Sequence, residues 1–276
     1  MRHPVGWVLG GGAGLAHFHV GVVWELIYRE LFPNCIIAVS AGALVAAKYL
    51  ENPHDATALE VGAHTKFGRP PFGFNRRMIP HPIDAKSLFE NKKLREILEE
   101  LDMNTICSSD IIFEVVTVDY TNGDICFFDN HSTAPEVFRD AILASTALPG
   151  IFKPVPIGTG LFIDGGMRAP LPLSRALYYE CESVFAANCF PYQETLSYEE
   201  GAAHGWLDVL TRGNHFATVE IIKRELECFE KEHPHIPLVH VRPSHRLLSS
   251  PLRWTLGDII AMTNHGREQM RRALEQ

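Results

Sequence analysis

The sequence has no long apolar run. No stretch approaches the roughly 18 to 20 residues that cross a bilayer as a helix, and the opening MRHPVGWVLGGG has neither the apolar core nor the small-residue cleavage site of a signal peptide. Cytoplasmic placement is the expectation. No C-x-x-C pair occurs among the six cysteines (Cys35, Cys107, Cys126, Cys181, Cys189 and Cys228). Neither a zinc site nor a disulfide framework follows from them, and they read as buried or partly buried thiols. Fourteen histidines are present, some in HFH and HPH, but they lack the additional ligands that a metal site needs. No acidic cluster has hard-cation spacing, so no metal and no cofactor are expected. Excess positive charge is also absent: the net charge is −8, which argues against a nucleic-acid partner. No Ser/Gly/Pro-rich linker and no internal repeat divide the 276 residues, so a single domain over 1–276 is expected.

What is present is an α/β pattern. Residues 5–9 (VGWVL) read as a short buried strand that runs into Gly10, Gly11, Gly12, Ala13 and Gly14. Apolar residues at helical spacing follow from about Ala16 to Leu31. A second short strand, Ile36 to Val39, reaches Ser40, and Ala41 to Leu50 forms an alanine-rich helix. The stretch HTKFGRPPFGFNRRMIPHP reads as a loop, and DAKSLFENKKLREILEEL as a capped amphipathic helix. IIFEVVTVDYTNGDICFFDN alternates around Asn122-Gly123 as a hairpin. APEVFRDAILASTALPG reads as a helix stopping near Pro149-Gly150, and LFIDGG as a strand ending at Asp164. A strand in SVFAANCF, a long helix around FATVEIIKRELECFEKE, a strand in IPLVHVRP and a final helix to Leu274 complete the chain. Strands alternating with helices predict a three-layer α/β/α fold with a mainly parallel central sheet.

In such sheets ligands bind outside the carboxyl ends of the strands. Three features fall there: the glycine loop after the first strand, Ser40 after the second, and Asp164. Acyl transfer needs an activated nucleophile, a base, and donors aimed at the developing oxyanion. Ser40 suits the first role, because a sharp strand-to-helix turn pushes its hydroxyl out beside the positive end of the next helix. Ala38 and Gly42 are small enough for strand and helix to approach closely, and Ala41 can lend a backbone N–H. The glycine loop (Gly10, Gly11, Gly12 and Ala13) offers further N–H donors. Asp164, followed by Gly165 and Gly166 on a tight turn, supplies the base, and desolvation would raise its pKa toward that task.

With those residues in hand the chain resembles the patatin-like phospholipase family. LGGGAGLAHFHVGVVWEL, AVSAGALVAA, AILASTALPGIFKPV and FIDGGMRAPLP occur in that family's order, VDYTNGDICFF is similar to its strand-turn-strand, and NHGREQMRRAL to its closing helix. The resemblance implies serine-dependent hydrolysis of acyl-ester lipids by a Ser40–Asp164 dyad without histidine. The chain departs from the family pattern in two places. The first glycine of the elbow is Ala38, giving A-V-S-A-G. In the loop, keeping His19 and Gly21 in register with the family's H-x-G puts Ala13 at the third glycine, Leu15 at the basic residue and Ala16 at the last glycine. A register that uses Gly10 to Gly12 as the triple glycine displaces His19.

A non-catalytic or weakly active scaffold or lipid-binding protein of the same fold is the alternative that the altered loop raises. An α/β-hydrolase triad fits less well, because only one strand precedes the Ile36 strand. A dinucleotide site would want an acid about 20 residues past the glycines, where Asn34-Cys35 stands, and the Gly-Lys-Ser or Gly-Lys-Thr of a P-loop is missing. Phe67, Phe72 and Phe74 with Lys66, Arg69, Arg76 and Arg77 combine apolar wedges with positive charge. That loop is expected either to cover the site and touch an anionic membrane surface peripherally or to be a solvated loop packed on its own aromatics.

Overall fold

A computed structural model gives the fold and describes residues 4–67, 73–74, 87–192, 206–248 and 253–276. The strands are β1 (Val5–Leu9), β2 (Cys35–Val39), β3 (Gly73–Phe74), β4 (Phe89–Glu90), β5 (Ile112–Asp119), β6 (Ile125–Asp129), β7 (Val155–Ile157), β8 (Gly160–Asp164), β9 (Ser183–Ala187) and β10 (Leu238–Val241). The helices are α1 (Ala16–Tyr28), α2 (Ala41–Leu50), α3 (Ala56–Phe67), α4 (Lys92–Glu99), α5 (Met103–Cys107), α6 (Pro135–Ser145), α7 (Ser174–Tyr178), α8 (Trp206–Glu232) and α9 (Leu256–Leu274). Among the described residues, no helix is long and apolar enough to cross a membrane.

The central sheet has the order β10-β9-β1-β2-β5-β8-β7, with β6 also paired to β5. β10, β9, β1, β2 and β5 run parallel, while β6 and β8 each pair antiparallel with β5 and β7 pairs antiparallel with β8. Alternate side chains of each central strand serve opposite faces, as the two-residue repeat of a strand requires. Trp7, Leu9, Ile36, Ala38, Phe113 and Val115 face a core built with α1, α2, α6 and α9. Val8, Ile37, Val39 and Val116 face a second core with Ala176 of α7 and Ile222, Leu226 and Phe229 of α8. These are the three layers expected from the sequence.

The register of β5 positions the site. Residues 114–116 of β5 pair with both β2 and β6, and residues 117–118 pair with both β6 and β8. A strand has only two edges, so β2 and β8 share one edge of β5. β2 ends with Val39 opposite Val116, and β8, running the other way, ends with Asp164 opposite Thr117. The two strands therefore point their carboxyl ends at each other across adjacent rungs of β5.

Some local expectations change. Residues 84–86 of the expected long helix lie outside the described residues, and residues 87–91 are not helical: α4 begins at Lys92, and Asn91 makes no side-chain cap. Leu88 and Phe89 instead give their N–H groups to the carbonyls of Gly150 and Ile151, so tertiary pairing overrides their helical spacing. The stretch read as a loop from His64 starts as helix, because α3 runs to Phe67. α6 stops at Ser145 rather than near Pro149. Of the proposed covering loop, Phe67 closes α3 and Phe74 closes β3, whereas Phe72, Arg69, Arg76 and Arg77 lie outside the described residues. Lys66 is ion-paired with Glu100.

Candidate active site

β2 is buried along its whole length and delivers Ser40 to the start of α2. Ser40 has φ 53° and ψ −121°, a left-handed conformation that costs a non-glycine residue on the order of 1 to 2 kcal/mol. Such a turn is what aims a side chain out of a strand-to-helix junction. The close approach behind it requires Gly42, where a Cβ would stand 2.3 Å from the Leu9 carbonyl oxygen. The elbow is held on its far side by Ser145, whose Oγ accepts the Ser40 N–H at 2.8 Å. Ala41 opens α2, so its N–H has no carbonyl one turn earlier to bond.

The Ser40 hydroxyl donates to Asp164 Oδ2 at 2.7 Å. The other carboxylate oxygen, Oδ1, accepts the Gly166 N–H at 2.8 Å. Both residues are nearly closed to solvent, 8% exposed for Ser40 and 4% for Asp164. Gly165 makes this turn possible, because a Cβ there would fall 2.3 Å from the Val116 carbonyl oxygen. Burial pushes the Asp164 carboxyl up to about 7, against the two hydrogen bonds that favour its ionised form. Neither hydrogen-bond partner of the carboxylate is a histidine.

Gly11 of the glycine loop lies against Ser40: a Cβ on Gly11 would stand 3.3 Å from Ser40 Cβ. Gly10 is tied into the sheet, giving its N–H to Ala187 O at 2.9 Å and accepting from His19 Nε2 at 2.8 Å. Burial lowers the His19 pKa to about 4, so the ring is neutral near pH 7 and its Nε2 carries the donated proton. Gly10 thus anchors the loop, and its N–H is not free for an oxyanion. Among the described residues, no backbone acceptor takes the N–H of Gly11, Gly12 or Ala13. Ala13 adopts φ 49° and opens a single 3-10 turn, closed by the Leu15 N–H on Gly12 O at 3.0 Å. Leu15 is buried, which is compatible with an apolar residue there and would be costly for an unpaired basic one.

The structure thus brings together Ser40, Asp164, Gly11, Ala41, Gly42, Gly165 and Gly166, with Gly10 at the root of the loop; Gly12 lies against Cys189, and Ala13 follows it on the 3-10 turn. Two contributors were not assigned from sequence. His19 entered only as a register marker, and its bond to Gly10 needed the fold to become visible. Ser145 sits in AILASTALPG, a block noted for its resemblance but given no role. Among the described residues, no group of three or more His, Cys, Asp or Glu side chains is placed to hold a metal.

Residues 7–177 match the Patatin-like phospholipase family. The chain belongs to that family, the class of protein that this sheet, elbow and glycine loop define. It is 22% identical over 205 residues to the triacylglycerol lipase ptl2 of Schizosaccharomyces pombe, covering 60% of this chain and 30% of the relative. It is 30% identical over 196 residues to a patatin-like phospholipase domain-containing protein of Coccidioides immitis, covering 60% of this chain and 26% of that one. The chain therefore matches less than a third of the length of these curated relatives. The crystal structure of VipD from Legionella pneumophila shares the fold, with a TM-score of 0.52 at 11% identity, over 100% of this chain and 67% of that one.

Proposed function

We propose that this protein is a serine hydrolase of acyl-ester lipids, with Ser40 as nucleophile and Asp164 as the base. The observation that carries the reading is the 2.7 Å hydrogen bond from Ser40 Oγ to Asp164 Oδ2. It joins residues far apart in sequence, at a strained elbow, with a base whose proton affinity has been raised. In the proposed reaction Asp164 takes the Ser40 proton as Oγ attacks the ester carbonyl carbon. The oxyanion is received by N–H groups of Gly11, Gly12, Ala13 and Ala41. The C–O bond then breaks, and the alcohol leaves with the proton from Asp164. Water, deprotonated by the same carboxylate, attacks the acyl-enzyme, releasing the fatty acid and returning the proton to Ser40. The dyad needs no metal and no cofactor. The lipid character of the substrate is supported by the family and by the lipase name of the S. pombe relative.

The test is hydrolysis of a p-nitrophenyl acyl ester and of an acylglycerol or phospholipid dispersion by wild type, Ser40→Ala and Asp164→Asn. Activity should fall at least about a thousandfold in both variants, a loss typical of removing a nucleophile or its base. Unchanged hydrolysis in Ser40→Ala contradicts the reading. A folded wild type inactive on all of these substrates would favour a lipid-binding scaffold of the same fold.

A further inference from the structure

We infer that the three-residue segment Ser145–Ala147 at the carboxyl end of α6 is a clamp that sets the separation of the dyad, with Ser145 as its positioning residue. The inference rests on the dyad reading above. The Ser145 hydroxyl accepts the Ser40 N–H at 2.8 Å and donates its own proton to the Val116 carbonyl at 2.7 Å. Two residues on, the Ala147 carbonyl accepts the Asp164 N–H at 3.1 Å. One short piece of chain therefore holds the backbone of both dyad members.

Val116 is also the rung of β5 opposite Val39, and Thr117, the next rung, is opposite Asp164. The Ser145 hydroxyl thus ties the elbow to the same point of β5 where the two facing strands meet. Ser145, Val116 and Thr117 are fully buried, so water cannot stand in for the lost hydroxyl without opening the core. A non-glycine residue at φ 53° persists only where its surroundings over-determine it. The bond to Ser145 is the one side-chain hydrogen bond to the strained backbone of Ser40 among the described residues. The hydrogen bonds of the Ser145 hydroxyl go to backbone groups, Ser40 N–H and Val116 O, and not to Ser40 Oγ or the Asp164 carboxylate. The effect of Ser145 on chemistry passes through the position of Ser40.

This role gives a signature that loss of stability alone does not. Among the described residues, the hydrogen-bond partners of the Asp164 carboxylate are the Ser40 hydroxyl and the Gly166 N–H, both uncharged. If Ser145→Ala lets the elbow relax, the Ser40–Asp164 bond lengthens and the carboxylate loses a donor that favours its charged form. The acid limb of kcat/KM should then move to higher pH by roughly half a pH unit or more. kcat should fall about 10- to 100-fold, the scale of an ångström-level misplacement, with little change in KM.

The experiment measures pH profiles of ester hydrolysis and thermal midpoints for wild type, Ser145→Ala, Ser145→Thr and Thr263→Ala. Thr263 is a buried hydroxyl residue on α9 whose side chain meets His64. Its loss should lower the thermal midpoint and leave the acid limb in place. Ser145→Thr keeps the hydroxyl and should keep the wild-type limb. An unshifted limb and unchanged kcat in folded Ser145→Ala, with wild type active, overturn the clamp alone. A limb that shifts as far in Thr263→Ala as in Ser145→Ala also overturns it. Absence of hydrolysis by wild type would instead remove the dyad reading itself. If Ser145→Ala does not fold, Ser145→Cys, which keeps a weak donor, must show the shifted limb.

Discussion

A carboxylate that takes a proton from serine near neutral pH works best when its own proton affinity has been raised. Asp164 meets this condition by burial, which carries its pKa to about 7. In the proposed mechanism the carboxylate form is the base, so kcat/KM should rise with pH to a plateau, with a midpoint near 7. A midpoint near 4 would mean that the carboxyl is solvated in the working protein. The same burial sets a stability trend. Below about pH 4 Asp164 is protonated in both folded and unfolded chains, so its ionisation has no effect. Between about 4 and 7 the unfolded chain ionises while the folded one does not, and folding becomes less favourable as pH rises. Asp164→Asn lacks that titration. Denaturant unfolding should therefore show the variant gaining on wild type by on the order of 3 to 4 kcal/mol from pH 4 to pH 8. A pH-independent difference would contradict the buried, neutral-pH carboxyl.

At the level of elements, the geometry of the candidate site arises from register. β2 and β8 meet head to head on β5, and the elbow, the aspartate turn and the glycine loop gather around that junction. The loop carries one local conflict, an alanine at φ 49°. Ala13→Gly should relieve the strain, partly offset by the greater freedom of glycine in the unfolded chain. A net stabilisation of about 0.5 to 1 kcal/mol by denaturant titration, with hydrolysis kept or increased, is expected. A destabilised variant would mean that the alanine methyl packs usefully and the strain is small.

Much of this element-level picture could be read from the sequence. VGWVL, IIAV and ALVAAKYL declare strand, strand and helix by their periodicity, and small residues around Ser40 declare an elbow. Nothing local to LFIDGG, however, says that β8 runs antiparallel or that it ends one rung from β2, since that register belongs to β5 as much as to β8. For the same reason Leu88 and Phe89 read as helix when their partners, Gly150 and Ile151, lie about sixty residues away. His19 and Ser145 act through bonds to backbone groups distant in sequence, and no spacing rule points to such pairs.

At the scale of the whole molecule, two apolar cores clamp the sheet from either face and leave its carboxyl edge for chemistry. Membership of the patatin-like phospholipase family rests on residues 7–177. The Ser40–Asp164 pair is the claim on which the functional account stands. Its most direct test is treatment of the folded protein at pH 8 with a fluorophosphonate probe, followed by intact-mass and peptide mapping. The account predicts one adduct, on Ser40, absent from Ser40→Ala, strongly slowed in Asp164→Asn and formed at the wild-type rate when surface histidines such as His235 are replaced. An adduct that persists in Ser40→Ala, or a folded wild type that takes no label, would contradict it.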